Sequence, residues 1–116
     1  MKQTSELIKE VGREVVMLLL EKNKAYGGTA NDPPIIFSKL SAKEGILARI
    51  DDKLSRIKTS GLNDKTEDTM LDLIGYLILY RVQCKKENPQ MGNDIIPKRI
   101  KNKLNIILLL IEKELY

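Results

Sequence analysis

Apolar residues recur every three to four positions in four separate segments of the chain, which is the spacing that predicts α-helices. The first segment begins at Thr4 or Ser5, whose hydroxyl is expected to cap the helix, and ends near Lys24. Its repeating apolar positions are Leu7, Ile8, Val11, Val15, Leu18 and Leu19. Further apolar residues widen this face, so we expect the helix to contact neighbours on more than one side.

A capping box marks the start of the second helix. Ser41 is followed three residues later by Glu44, a pattern in which the serine side chain accepts a hydrogen bond from the first turn and the glutamate reaches back. Gly61 is expected to end this helix, because glycine readily adopts the backbone conformation found just past a helix terminus.

The third and fourth helices have weaker boundaries. Asp64 followed by Glu67 repeats the capping pattern and predicts a helix that continues to about Lys86. Apolar residues cover most of its circumference, so we expect it to be the central helix of the fold. Pro97 suits the first position of a fourth helix that runs to the end of the chain.

No stretch alternates with period two for long enough to form a sheet. We therefore predict an all-α fold in which residues 1–116 form a single domain, a four-helix bundle. Helices one and four carry apolar residues on more than one side, and one small bundle cannot bury all of them. This excess predicts a homo-oligomer.

Composition excludes several classes of chemistry. The 116 residues are 42% apolar and 31% charged, and no apolar run approaches the ~20 residues that cross a bilayer, so we expect no membrane contact. With one cysteine, Cys84, and no histidine, the chain cannot form an intramolecular disulfide, a metal site based on cysteine clusters or histidine, or a histidine-dependent catalytic site. A reducing, cytoplasmic location is expected. The net charge of +4 permits anionic partners, but few aromatic residues argue against nucleic-acid binding. A cluster of basic residues at the start of the fourth helix is a candidate contact for a partner: Lys98, Arg99, Lys101 and Lys103.

Carboxylates on helices two and three form the sharpest candidate site. Asp68 and Asp72 are four residues apart and share a helix face, and Asp72 lies among apolar residues. Helix two offers carboxylates together with Lys53 and Arg56, which suit phosphate. Two such helices facing each other predict a site for Mg²⁺ and a phosphate. The carboxylates of helix two are Glu44, Asp51 and Asp52.

A structural explanation of the same residues stays open. The charges of helix two also fit a solvated helix face stabilised by pairs four residues apart. Asp72 would then form a buried salt bridge, with Arg49 or Arg56 as its partner.

The segment after helix one is the second candidate. Residues 25–40 form the longest irregular stretch, and loops of this length are often functional. Lys24, Tyr26 and the pair Gly27–Gly28 suit a grip on a base and a phosphate. The alternative is a Schellman-type helix stop with Tyr26 packed over it.

Residues 24–27, 50–57 and 67–76 together resemble the nucleotide modification associated domain family, which is small, helical and frequent in phages and prophages. More distantly they look like the MazG-type all-α nucleoside triphosphate pyrophosphohydrolases. The latter resemblance implies that carboxylates of two facing helices hold Mg²⁺ while water attacks the triphosphate. Asp72 matches the aspartate of the Glu-x-x-Asp motif, its glutamate falls on Thr69, and Asp68 is the nearest substitute. On helix two the glutamate pair is reduced to Asp51 and Asp52, with Glu44 a turn or two upstream.

The resemblance implies a nucleotide-handling domain that binds a nucleoside phosphate through Mg²⁺ and hydrolyses a triphosphate to monophosphate and pyrophosphate. The catalytic residues would be Asp52, Asp72 and Glu44. The nucleotide would be bound by Lys24, Tyr26, Lys53, Arg56 and Tyr76. The metal would be held by Asp51, Asp52, Asp68 and Asp72.

Two alternatives belong to other functional classes. The threonine at position 69 favours a non-catalytic phage protein, located in the host cytoplasm, that sequesters a nucleotide or a nucleotide-derived signal. The apolar surfaces of helices one and four favour a helical protein–protein interaction module.

Overall fold

The computed structural model describes residues 1–35, 38–62, 68–91 and 97–115 and, of residues 107, 108 and 110–115, the backbone alone. It contains four α-helices and, within the described residues, no strand, which confirms the all-α prediction. The helices are α1 (Thr4–Ala25), α2 (Ala42–Ser60), α3 (Thr69–Glu87) and α4 (Lys98–Leu115).

Both ends of α2 lie where the sequence places them. The Ser41 hydroxyl oxygen accepts a hydrogen bond of 3.2 Å from the backbone N–H of Glu44, which satisfies one of the donors left free at the start of a helix. At the other end, the N–H of Gly61 donates to the carbonyl of Ile57, and Gly61 has a φ of 73°. This left-handed conformation is readily adopted only by glycine.

The starts of α1 and α3 differ from the prediction. The N-cap position of α1 is Gln3, whose side chain makes no capping hydrogen bond, so neither Thr4 nor Ser5 caps the helix. α3 begins at Thr69, and the Asp68 side chain accepts a 2.8 Å hydrogen bond from the N–H of Leu71. The capping box predicted at residues 64–67 lies outside the described residues.

The chain divides into two compact units, residues 1–83 and 84–116. The first contains α1, α2 and most of α3, and the second contains the last turn of α3 together with α4. Among the described residues of the first unit, the buried apolar side chains are Val15, Ile46 and Ile50. Packing of α4 into a four-helix bundle with the others stays a prediction.

Helix α3 is buried on one side. Gly75 is buried against Leu19 of α1, and Thr69 is fully buried, whereas Met70 and Leu77 are about half exposed. The two exposed residues are seven positions apart, so they share the opposite face of the helix. The expectation that α3 is central therefore holds for one face.

Large apolar side chains also remain exposed on α1, where Ile8 is 67% exposed. No helix of the described ranges is both long enough and apolar enough to cross a membrane.

We expect Gly75→Val to lower the free energy of unfolding by about 1–3 kcal/mol, because added side-chain atoms overpack the α1–α3 contact. A Cβ atom at position 75 would lie 3.1 Å from Cδ2 of Leu19. Gly12 on α1 has open space around it, so Gly12→Ala should raise stability by about 0.5–1 kcal/mol through helix propensity. Urea denaturation measures both changes. Equal stabilities for Gly75→Val and the natural chain would contradict the tight contact.

Candidate functional site

A cleft of about 680 Å³ opens between the three helices of the first unit and the loop that connects α1 to α2. Each helix contributes residues spaced three or four apart, which is the spacing of one helix face. Most of the wall is apolar. Its main apolar residues are Val15, Leu18, Leu19, Ile46, Leu71 and Leu79.

Charged and aromatic groups interrupt this apolar wall. α1 supplies Lys22, α2 supplies Arg49 and α3 supplies Asp72. Two tyrosines, Tyr26 and Tyr76, also line the cleft. A mostly apolar concavity with a few polar groups is the usual form of a small-molecule site. Pockets that bind drug-sized ligands usually have volumes of about 300–1,000 Å³.

The Asp72 carboxylate joins all three helices. Its Oδ2 atom lies 3.4 Å from Nζ of Lys53 on α2, and its Oδ1 atom lies 3.7 Å from Nζ of Lys22 on α1. Lys53 is 7% exposed, so its ammonium group needs an anionic partner. Asp72 stands in the first turn of α3 and Lys22 in the last turn of α1, positions where their charges are favoured by the helix dipoles.

This geometry matches the salt-bridge explanation of Asp72 but with different partners. The sequence pointed to Arg49 or Arg56, whereas the structure pairs Asp72 with two lysines. Arg49 lines the cleft, and Arg56 forms an exposed pair with Asp52, in which the Nε and Oδ2 atoms are 3.7 Å apart. Lys53 was expected to contact phosphate, but it is buried behind Asp72 and does not line the cleft.

The candidate residues divide into two groups. Among those named from the sequence, Tyr26, Tyr76 and Asp72 share the cleft. The others lie away from its wall: Lys24, Glu44, Asp51, Asp52, Lys53, Arg56 and Asp68. Asp68 has a structural role as the cap of α3, and Glu44 is exposed at the start of α2.

The four aspartates predicted to bind Mg²⁺ do not form one ligand set. Among the described residues, no group of three or more carboxylate, cysteine or histidine side chains is arranged to hold a metal ion. Both oxygens of Asp72 face ammonium groups, and a divalent cation there would be repelled by them. The donors therefore do not fit Mg²⁺, and its binding stays a prediction that this geometry does not favour.

Thr69 occupies the position that corresponds to the glutamate of the Glu-x-x-Asp motif. Its side chain is fully buried, and its hydroxyl has no hydrogen-bond partner in the described part of the structure. It does not line the cleft, so position 69 offers no ligand to a metal or a nucleotide there.

The segment after α1 is a Schellman-type stop. Gly27 has a φ of 67°, and the N–H of Gly28 donates to the carbonyl of Asn23 at 3.0 Å. A hydrogen bond that closes six residues in this way is characteristic of the Schellman motif. Tyr26 is 67% exposed, so it does not pack over the stop as that explanation supposed. The turn instead places the Tyr26 ring at the cleft.

Sequence patterns gave no indication of the residue that holds the loop against α3. The Asn31 side-chain amide donates to the carbonyl of Leu79 at 3.2 Å and to Oε1 of Gln83 at 3.1 Å. Lys22 and Arg49 were also not predicted to line the cleft. Their spacing could have indicated them: Lys22 follows Val15 by seven residues and Arg49 follows Ile46 by three, so each shares a helix face with a buried apolar residue.

A scan against family models, a search of curated proteins and a search of solved structures find no match to this chain. The resemblance to nucleotide-handling families stays a prediction.

We expect Asp72→Ala to lower the free energy of unfolding by about 2–4 kcal/mol, because it removes the carboxylate that faces the buried Lys53 ammonium group. Asp52→Ala is the matched control. It removes an exposed carboxylate that pairs with Arg56, so the loss should be about 0–1 kcal/mol. Urea denaturation of both variants tests the difference, and similar losses would show that Asp72 is not structurally important.

Proposed function

We propose that the first unit binds a nucleoside phosphate in the cleft and does not hydrolyse it. The observation that supports this most directly is Arg49. Its exposed side chain forms part of the mostly apolar wall of the cleft, and it makes no ion pair or hydrogen bond within the described ranges. An arginine without a partner in a cleft suits phosphate, because the planar guanidinium group donates several hydrogen bonds in a fixed geometry.

The remaining wall suits a base and a sugar. Tyr26 and Tyr76 line the same cleft as Arg49, and aromatic rings are good stacking partners for nucleobases. The apolar wall, which includes Leu18 and Leu79, excludes water from the flat faces of a bound base.

Binding without turnover is favoured because the three predicted catalytic carboxylates do not lie together in the cleft. Asp72 is held between two ammonium groups, Asp52 pairs with Arg56 on an exposed face, and Glu44 lies outside the cleft. Hydrolysis of a triphosphate needs charge neutralisation and an activated water at one place. The arrangement supports the sequestering alternative over the pyrophosphohydrolase.

Calorimetric titration with nucleoside mono-, di- and triphosphates tests the proposal, with phosphorus NMR of the same mixtures to follow turnover. We expect at least one nucleotide to bind and none to release pyrophosphate. Arg49→Gln should weaken binding at least about tenfold, since it removes a charge-assisted contact. Arg56→Gln is the control on the same helix and should leave the affinity unchanged. The proposal fails if no nucleotide binds, or if Arg49→Gln binds the nucleotide as tightly as Arg56→Gln does.

Self-association through α1 is a second candidate, and exposed apolar side chains support it. Leu7, Ile8 and Val11 are 45%, 67% and 48% exposed and share one face of the helix. Such a face on a small unit favours contact with a second copy.

Sedimentation velocity tests the second candidate. We expect Ile8→Glu to shift an oligomer toward monomer, because a charge would have to be buried in the interface. The neighbouring exposed change Lys9→Glu should leave the distribution as it is in the natural chain. Monomeric natural protein would contradict self-association.

A further inference from the structure

Positive charge exceeds negative charge around the cleft. Of the described side chains that line it, Lys22 and Arg49 are cationic and Asp72 is the one carboxylate. Lys53 adds a third cation directly behind Asp72, 3.4 Å from its Oδ2 atom. A cleft with this balance attracts an anion and disfavours a second cation.

We propose that Lys22 and Arg49 bind the phosphate group of a nucleoside monophosphate directly, as a dianion, without any metal ion. This inference rests on the proposed function, since it concerns the ligand of the same cleft. It names the ligand class and replaces the carboxylate-bound Mg²⁺ expected from the sequence with a contact between cations and phosphate.

Lys22 can take this role without breaking the ion pair between Asp72 and Lys53. Its contact with Asp72 is the longer of the two, 3.7 Å, and its side chain is 48% exposed. Lys53 lies closer to the carboxylate and is 9% exposed in its side chain. When Lys22 turns toward a phosphate, Asp72 therefore keeps its buried partner Lys53, and that pair still joins α2 to α3.

The charge balance also selects among phosphates. A monophosphate carries up to two negative charges near neutral pH, which two cationic side chains match. A triphosphate carries more negative charge and ordinarily takes Mg²⁺ as its counter-ion. Among the described residues that line the cleft, Asp72 is the one carboxylate available to that metal, and its Oδ2 atom keeps the buried Lys53 ammonium group 3.4 Å away.

Calorimetric titrations with adenosine, guanosine, cytidine and uridine, and with their 5′-monophosphates, test the proposal. Each is measured once in EDTA and once in Mg²⁺. We expect the tightest monophosphate to bind at least about tenfold better than its nucleoside, because its phosphate makes charge-assisted contacts. Its dissociation constant should differ less than twofold between EDTA and Mg²⁺.

Variants assign the effect to the two side chains. Lys22→Gln and Arg49→Gln should each reduce the preference for monophosphate over nucleoside at least about fivefold, while Arg56→Gln retains it. Arg49→Lys should recover part of the preference, because it restores charge without the planar geometry. Circular dichroism confirms that each variant is folded, so that loss of binding is not loss of structure.

The outcomes separate this inference from the proposed function. Nucleotide binding that requires Mg²⁺, or equal affinity for nucleoside and monophosphate, overturns the inference and leaves nucleotide binding intact. If no nucleotide binds, inorganic phosphate in EDTA is the second probe. A rise in melting temperature that is lost in Arg49→Gln would then support a metal-free anion contact, but it would overturn both the nucleoside monophosphate as ligand and the proposed function. No response to phosphate as well overturns both.

Discussion

The Asp72 carboxylate contacts ammonium groups from two different helices, and the remaining features of the first unit are arranged around that contact. Lys22 comes from the end of α1, Lys53 from the second half of α2 and Asp72 from the first turn of α3. Among the described residues only a few apolar side chains are buried, so hydrophobic burial alone leaves the relative placement of these helices weakly specified. A buried ion pair has stricter geometric requirements, because an unpaired ammonium group at position 53 is costly.

The same contact changes the chemistry of the cleft. A carboxylate without a cationic partner would be a ligand for a divalent metal, whereas one between two ammonium groups is already neutralised. The cleft then presents to a ligand the cationic side of the arrangement, with Arg49 on one helix and the half-exposed Lys22 on another. A structural ion pair thus makes the neighbouring surface better suited to an anion than to a cation.

Local signals in the sequence predicted the helices and part of the site. The Ser41 cap and the Gly61 stop depend on neighbouring residues only, so α2 was located correctly at both ends. The partner of Asp72 depends on how three helices come together, and residue spacing within one helix carries no such information. Lys53 is a similar case. Lys53 lies on the same buried face of α2 as Ile46 and Ile50. A lysine is nevertheless expected to be solvated unless its partner on another helix is known.

The close approach of Leu19 to Gly75 has a consequence for how the cleft can diversify. Leu19 both fills the space above Gly75 and lines the cleft, so the two positions are energetically coupled and substitutions at them are not additive. A larger residue at position 75 should cost less stability when position 19 carries a smaller one, and such an exchange redistributes volume along the cleft wall. Paired substitutions at positions 19 and 75 would therefore change the shape of the cleft without altering the charged residues that hold the helices together.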